Sequence, residues 1–209
     1  MADLIRVIGI GPGNPDYITP VALELISGAD ILIGGERVLR DFAGLAKETF
    51  VIRNNLSQMA EFIKEKRPDS EIAVLASGDP AFFGILEYLR KSFGAPELMV
   101  IPGISSVQLA CARLAISWHD AAFYSIHGRS MEGLTDLVRN HTKVIVLTDP
   151  GNTPAKIARS LIEAGIRDRK IYVCENLSYE DEKIGEFDID SVPEVVGTNG
   201  CVVVILGRG

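Results

Sequence analysis

The chain has 209 residues, 47% of them apolar, enough for one large domain or two compact ones of about 100 residues each. Its 21 basic residues against 28 acidic ones leave a net charge of −7, so phosphate backbones repel it and nucleic acid is not expected as a partner. No basic segment leads into an apolar core at the N-terminus, and the apolar run CVVVIL (201–206) is far short of the ~20 residues of a membrane span, so neither a leader nor a membrane segment is expected and the cytoplasm is the expected compartment.

In chain order, short aliphatic runs alternate with segments of helical period. LIRVIGI (4–10) predicts a strand, 19–28 a helix that Thr19 caps and Pro20 begins, and DILIGG (30–35) and TFVI (49–52) two more strands. A helix over 56–66, the strand EIAVLAS (71–77), a helix over 80–93 and the strand ELMVIP (97–102) follow. After a helix over 104–115 come the strand AAFYSI (121–126), a helix over 132–139, the strand KVIVLT (143–148) and a helix over 153–165 that repeats the Thr-Pro start at Thr153-Pro154. KIYVCEN (170–176) and CVVVIL (201–206) are the last strands, and the charged run YEDEK (179–183) reads as a solvated loop. Several strands are apolar on both faces, the pattern of sheets covered by helices on both sides, so the fold class is α/β. The best boundary follows the helix after PGISS, giving domains at 1–115 and 116–209 with a cleft between them as the default ligand site. Cys111, Cys174 and Cys201 are scattered and lack CxxC spacing, which predicts reduced core thiols. His119 and His141 have no metal-ligand spacing with them, and no metal site is expected.

Three stretches at strand ends carry the candidate chemistry. The first, VIGIGPGNPDYIT (7–19), begins like a dinucleotide fingerprint with Gly9 and Gly11, but the third glycine position falls on Asn14. Pro12 and Pro15 hold the chain extended until Thr19, so the helix start that would capture a pyrophosphate is displaced. No acid ends the second strand, since Asp30 stands at its beginning, and a nicotinamide or flavin enzyme is a poor fit. The competing reading is a βα turn without a ligand. The second stretch is SGDPAFFG (77–84). Gly78 lets backbone approach a ligand, Asp79 is expected to cap the helix that Pro80 begins, and Phe82 and Phe83 either wall an apolar pocket or pack in the core. The third is PGISS (102–106), where Ser105 and Ser106 open a helix and either cap it or hold a carboxylate or a ribose.

In this order and spacing, GIGPGNPDYIT, SGDPAFFG and PGISS resemble the tetrapyrrole methylase family over nearly the whole chain. The resemblance implies two αβα domains with the methyl donor, S-adenosylmethionine, in the cleft between them. IGGERVLRDF (33–42), ASGDPAFFG (76–84), PGISSVQLACARL (102–114) and YSIHGR (124–129) resemble the branch that methylates C-5 of a cobalt-containing corrin precursor in cobalamin biosynthesis. Other branches, acting at a different ring position or resembling diphthine synthase, and a non-catalytic corrinoid-binding scaffold are the alternatives.

The resemblance assigns Pro12, Gly78, Asp79, Phe82, Ser105, Ser106, Gly128 and Leu147 to the donor; His127 either accepts a proton or hydrogen-bonds backbone at a strand end, and Arg129 either pairs with the acidic groups of the substrate or forms a surface salt bridge. A first loop ending in GD is the family's version; here Asn14 stands in place of the acid. The resemblance also implies a homodimer and a separate C-15 methyltransferase/decarboxylase as a partner, for which no domain is expected before the chain ends at Gly209. In-line methyl transfer to an electron-rich carbon needs no protein nucleophile; alignment of the two carbons supplies on the order of 7–11 kcal/mol at best.

Overall fold

The computed structural model describes residues 4–126 and 130–207. The chain separates into two units, Met1–Ser105 and Ser106–Gly209. The division expected after residue 115 differs by one helix, which groups with the second unit.

In the first unit the strands are β1 (Ile5–Gly9), β2 (Ile31–Gly35), β3 (Glu48–Ile52), β4 (Ile72–Ala76) and β5 (Leu98–Ile101). The helices are α1 (Pro20–Ser27), α2 (Glu36–Asp41), α3 (Leu56–Lys66) and α4 (Leu86–Phe93). The sheet is parallel throughout, in the order β3-β2-β4-β1-β5. Its central strands β2 and β4 are apolar on both faces because both are covered. Ile5, Val7, Ile31, Ile33, Ile72 and Val74 pack with Met59 and Ile63 of α3 and Leu89 and Phe93 of α4. Ile8, Leu32, Ala73 and Leu75 face the other way, onto Ala22 and Ile26 of α1 and Val38 and Leu39 of α2. As its Thr-Pro start predicts, α1 is capped by Thr19, whose hydroxyl accepts from the Ala22 N–H at 3.3 Å.

The connections position the site. β1 leads through α1 toward the β3 edge, while β4 leads through α4 toward β5. Their exits diverge between neighbouring strands, which makes this the topological switch point where open α/β sheets bind ligands.

The second unit holds α5 (Ser106–Arg113), β6 (Ala122–Ser125), α6 (Leu134–Asn140), β7 (Lys143–Leu147), α7 (Pro154–Glu163), β8 (Arg169–Glu175), β9 (Lys183–Asp188) and β10 (Val202–Gly207). The sheet order is β6-β7-β10-β8-β9; β6 and β7 are parallel and the remaining pairs antiparallel. One face buries Val144, Val146, Ile171, Val173, Val203 and Ile205 against Val138 of α6 and Ile157 and Leu161 of α7. No helix among the described residues is long and apolar enough to cross a membrane.

Three elements differ from the sequence expectation. The run 179–183 is an exposed turn, as expected, but it leads into a strand, β9, that the sequence did not announce. Arg113 donates its Nε–H to Glu182 at 2.6 Å, the Ser178 N–H donates to the same carboxylate at 2.7 Å, and the Arg113 contact, aided by the Ser178 bond, holds that carboxyl below the usual carboxylate range. β9 then pairs across to β8, where the Lys170 ammonium reaches Glu186 at 3.0 Å and Asp188 at 3.4 Å. The helix α2 follows β2 with no intervening loop, so its six residues lack a separating turn signal. The helix expected over 80–93 begins only at Leu86.

All three cysteines are free, and burial raises each thiol, Cys174 to about 12 and Cys201 to about 11 from an ordinary value of 9.0. A raised folded value favours the neutral thiol. Its stabilising contribution is therefore complete below pH 9 and is lost as pH climbs through the folded values. Native protein at pH 8 is expected to leave dithionitrobenzoate unreduced until denaturant is added, and urea midpoints are expected to fall steadily above about pH 9. Prompt labelling of the native chain at pH 8 contradicts this packing.

Candidate functional site

The exits of β4, β1 and β5 lie side by side, because those strands are neighbours in the sheet. The Ile10 N–H continues the ladder to the Ala76 carbonyl at 3.0 Å. Gly11 and Gly78 then exchange both backbone bonds, Gly78 N–H to Gly11 carbonyl at 2.7 Å and Gly11 N–H to Gly78 carbonyl at 3.3 Å. Two loops leaving parallel strands are thus stitched as a short antiparallel bridge, which Gly78 permits by taking φ +69°.

The third loop closes against the same point. A Cβ on Gly103 would stand 2.2 Å from the Gly78 carbonyl oxygen and 2.8 Å from the Gly9 carbonyl carbon. One on Gly9 would stand 2.5 Å from the Gly103 nitrogen. Close approach of three backbones, rather than loop flexibility, requires glycine at both positions.

Asp79 fastens this junction. Its Oδ1 accepts from the Ala81 N–H at 2.7 Å and its Oδ2 from the Gly103 N–H at 3.1 Å. The expected helix cap is therefore corrected: Asp79 caps a turn and ties the β4 exit to the β5 exit. The helix is delayed because Phe83 adopts φ +53°, outside helical space, and Gly84 lies against Pro80, where a Cβ would meet the Pro80 carbonyl oxygen at 2.6 Å.

Pro12 is buried at the bend of the first loop. Asn14 caps a 3-10 turn over Pro15–Tyr17, its Oδ1 accepting from the Asp16 N–H at 2.9 Å. That turn separates the glycines from the start of α1, so the third glycine of a dinucleotide loop has no counterpart here. Ser105 is buried behind Gly78, with 6% of its surface exposed. Phe82 is half-buried and meets Phe83 edge to face, ring centroids 4.9 Å apart and planes at 74°.

The first unit thus brings together Pro12, Gly78, Asp79, Phe82 and Ser105. Ser106 opens α5 and Leu147 ends β7, both in the second unit. There the β7 exit is braced by Asp149, whose Oδ1 accepts from the N–H groups of Gly151 at 2.8 Å and Asn152 at 2.9 Å, and by Asn152, which donates to the Ile126 carbonyl at 3.2 Å. His127, Gly128 and Arg129 lie outside the described residues. Sequence reasoning assigned no role to Arg37, at the start of α2, whose guanidinium donates to the Ser77 hydroxyl at 3.4 Å. The cation in GGER was visible; its nearness to Ser77, forty positions on, was not.

The family model described as Tetrapyrrole (Corrin/Porphyrin) Methylases matches residues 5–193. The cobalt-precorrin-7 C(5)-methyltransferase of Salmonella typhimurium is 37% identical over 201 residues, covering 96% of this chain and 98% of its own. A probable cobalt-precorrin-7 C(5)-methyltransferase of Methanocaldococcus jannaschii is 40% identical, covering 87% of both chains. Among solved structures, a uroporphyrin-III C-methyl transferase of Thermus thermophilus, complexed with S-adenosyl homocysteine, superposes with a TM-score of 0.77 at 20% identity over 97% of this chain and 96% of its own.

The junction itself is testable by denaturation. Gly103→Ala is expected to lower unfolding stability by about 1–3 kcal/mol through overpacking. Asp79→Ala is expected to cost about 1–3 kcal/mol through two lost charge-assisted bonds. The double variant should lose less than the sum, because both changes strike one contact. A neutral Gly103→Ala is incompatible with the close approach.

Proposed function

Since this chain belongs to the tetrapyrrole (corrin/porphyrin) methylase family, we propose that it transfers a methyl group from S-adenosylmethionine to C-5 of a cobalt-precorrin in cobalamin biosynthesis. The observation that carries this reading is the near end-to-end likeness to two enzymes named for that reaction, at 37% and 40% identity.

The residues present suit the donor. A sulfonium compound has no phosphate, so it needs no α-helix start beside the glycines, and a 3-10 turn separates them from α1. It needs loops held in fixed positions around it, which the close backbone contact of Gly9, Gly78 and Gly103 supplies. Pro12, Gly78, Asp79, Phe82 and Ser105 are its proposed holders in the first unit; Ser106, Gly128 and Leu147 are those in the second. Bound there, S-adenosylmethionine supplies an already activated methyl group.

The work of the protein is then placement. Asp79 acts by fixing the β4 and β5 exits relative to each other, so the holders do not reorganise when the acceptor arrives. His127 is proposed to accept a proton from the acceptor, and Arg129 to pair with its acidic side chains. Arg37, exposed beside Ser77, offers a second cation to those carboxylates. We further propose that the enzyme acts in the cytoplasm as a homodimer, alongside a separate C-15 methyltransferase/decarboxylase.

Calorimetric titration with S-adenosylhomocysteine is expected to give one site per chain, and incubation with donor and the cobalt-precorrin to add one methyl group at C-5. Asp79→Ala, assayed well below its unfolding temperature, is expected to weaken donor binding by about tenfold or more, ~1.4 kcal/mol. Absence of both donor binding and methyl transfer in the wild-type chain overturns the reading.

A further inference from the structure

In the second sheet β6 and β7 alone run parallel among the described strands, so their exits lie side by side. The last rung between them is the Ile126 N–H donating to the Leu147 carbonyl at 2.9 Å. Past it the β7 chain folds back through the turn from Asp149 to Asn152, and the Asn152 side chain returns to the neighbouring strand. Its Nδ2 donates to the Ile126 carbonyl at 3.2 Å and to the Asp149 carboxylate at 3.2 and 3.3 Å. A closed ring results: from Leu147 across to Ile126, through the Asn152 amide to Asp149, and back along the chain through Thr148. On the other side Thr148, 4% exposed, is tied to Cys201. Its N–H donates to the Cys201 carbonyl at 3.1 Å and its hydroxyl accepts from the Cys201 N–H at 2.8 Å. The β7 exit is thus held on both sides, and Asn152 supplies the side-chain tie to β6.

Local structure does not need that tie. The turn is closed by Asp149, whose Oδ1 accepts from the Gly151 and Asn152 N–H groups, and α7 is capped by Thr153, whose hydroxyl accepts from the Lys156 N–H at 3.4 Å. The Asn152 amide instead reaches a carbonyl 26 positions earlier in the chain. Each of these partners of its nitrogen is an acceptor, which fixes the orientation of the amide and favours asparagine over aspartate. An ionised carboxylate at 152 would have no proton for the Ile126 carbonyl and would face the Asp149 carboxylate. The first unit uses the same device, since the Asp79 carboxylate ties the β4 exit to the β5 exit. In each unit a short polar side chain just past a strand fixes that strand's end against the end of another. At the fixed end of β7 stands Leu147, a proposed holder of the donor.

We propose that Asn152 is a positioning residue for the donor: by bridging the β6 and β7 exits it sets the place of Leu147, without itself touching the reacting atoms. This rests on the methyltransferase reading above. Loss of the bridge therefore tells on donor binding and leaves acceptor binding alone.

The test is Asn152→Asp, which keeps the size of the side chain. At about pH 8 its Kd for S-adenosylhomocysteine and its KM for S-adenosylmethionine should rise about tenfold, with the KM for the cobalt-precorrin within about twofold of wild type. As pH falls to about 5 the new carboxyl protonates, regains a proton for the Ile126 carbonyl and loses its repulsion from Asp149. The ratio of variant to wild-type Kd should then shrink about threefold or more. Asn152→Ala should weaken donor binding about tenfold at both pH values, with no recovery in acid. Thr153→Ala uncaps α7 one residue away; it should lower the thermal midpoint yet keep the Kd within about twofold. The proposal is overturned if a folded Asn152 variant keeps the wild-type Kd, if Asn152→Asp shows no recovery in acid, or if the acceptor KM rises by the same factor. It is also overturned if Thr153→Ala weakens donor binding equally, or if neither Asn152 variant folds, which makes the amide a structural tie only. In each of those cases a wild type that binds S-adenosylhomocysteine and methylates the cobalt-precorrin keeps the proposed function standing. A wild type that does neither overturns both.

Discussion

Three backbones meet where no side chain has room. The Gly78 carbonyl oxygen would be 2.2 Å from a Cβ on Gly103, and the Gly103 nitrogen 2.5 Å from one on Gly9. The parallel sheet makes this meeting available, because it brings the exits of β4, β1 and β5 to one end in adjacent positions. The Gly11–Gly78 bridge and the Asp79 carboxylate then lock it, each with two backbone hydrogen bonds. The loops are joined to one another as firmly as strands are, although they leave the sheet in different directions.

That rigidity suits a reaction that asks little of side-chain chemistry. When the donor carbon is activated and the acceptor carbon is electron-rich, most of the attainable rate lies in holding them in line, on the order of 7–11 kcal/mol at best. Fixed loops serve this better than a reactive residue does. A methylase whose glycine loop departs from the dinucleotide pattern at Asn14 is consistent with that requirement, since its ligand has no pyrophosphate to hold. The chain's net charge of −7 is countered locally by the guanidinium of Arg37 beside Ser77, where an acidic acceptor on the proposed reading approaches.

What the sequence made legible follows the range of the interaction. Thr19-Pro20 and Thr153-Pro154 announce their helices because a cap is a contact within three residues, and both threonines accept the expected N–H. The strand IAVLA is legible because burial on both faces leaves an unbroken apolar run. β9 was hidden because K-I-G-E-F-D on an exposed edge, next to an acidic turn, looks like solvated chain until Lys170 is placed beside Glu186 and Asp188.

The site shows the same division. That Gly9, Gly78 and Gly103 end strands was visible; that they touch one another was not, since the contact spans most of the unit. Asp79-Pro80 carries the local signature of a helix start, and tertiary structure overrides it: Phe83 leaves helical space and the carboxylate reaches Gly103 instead. The most direct measurement of the central claim is amide hydrogen exchange with and without S-adenosylhomocysteine, followed in peptides covering 10–14, 77–84 and 102–106. The account predicts that the three segments gain protection together at one ligand concentration. Ligand binding that leaves any one of them unchanged contradicts it.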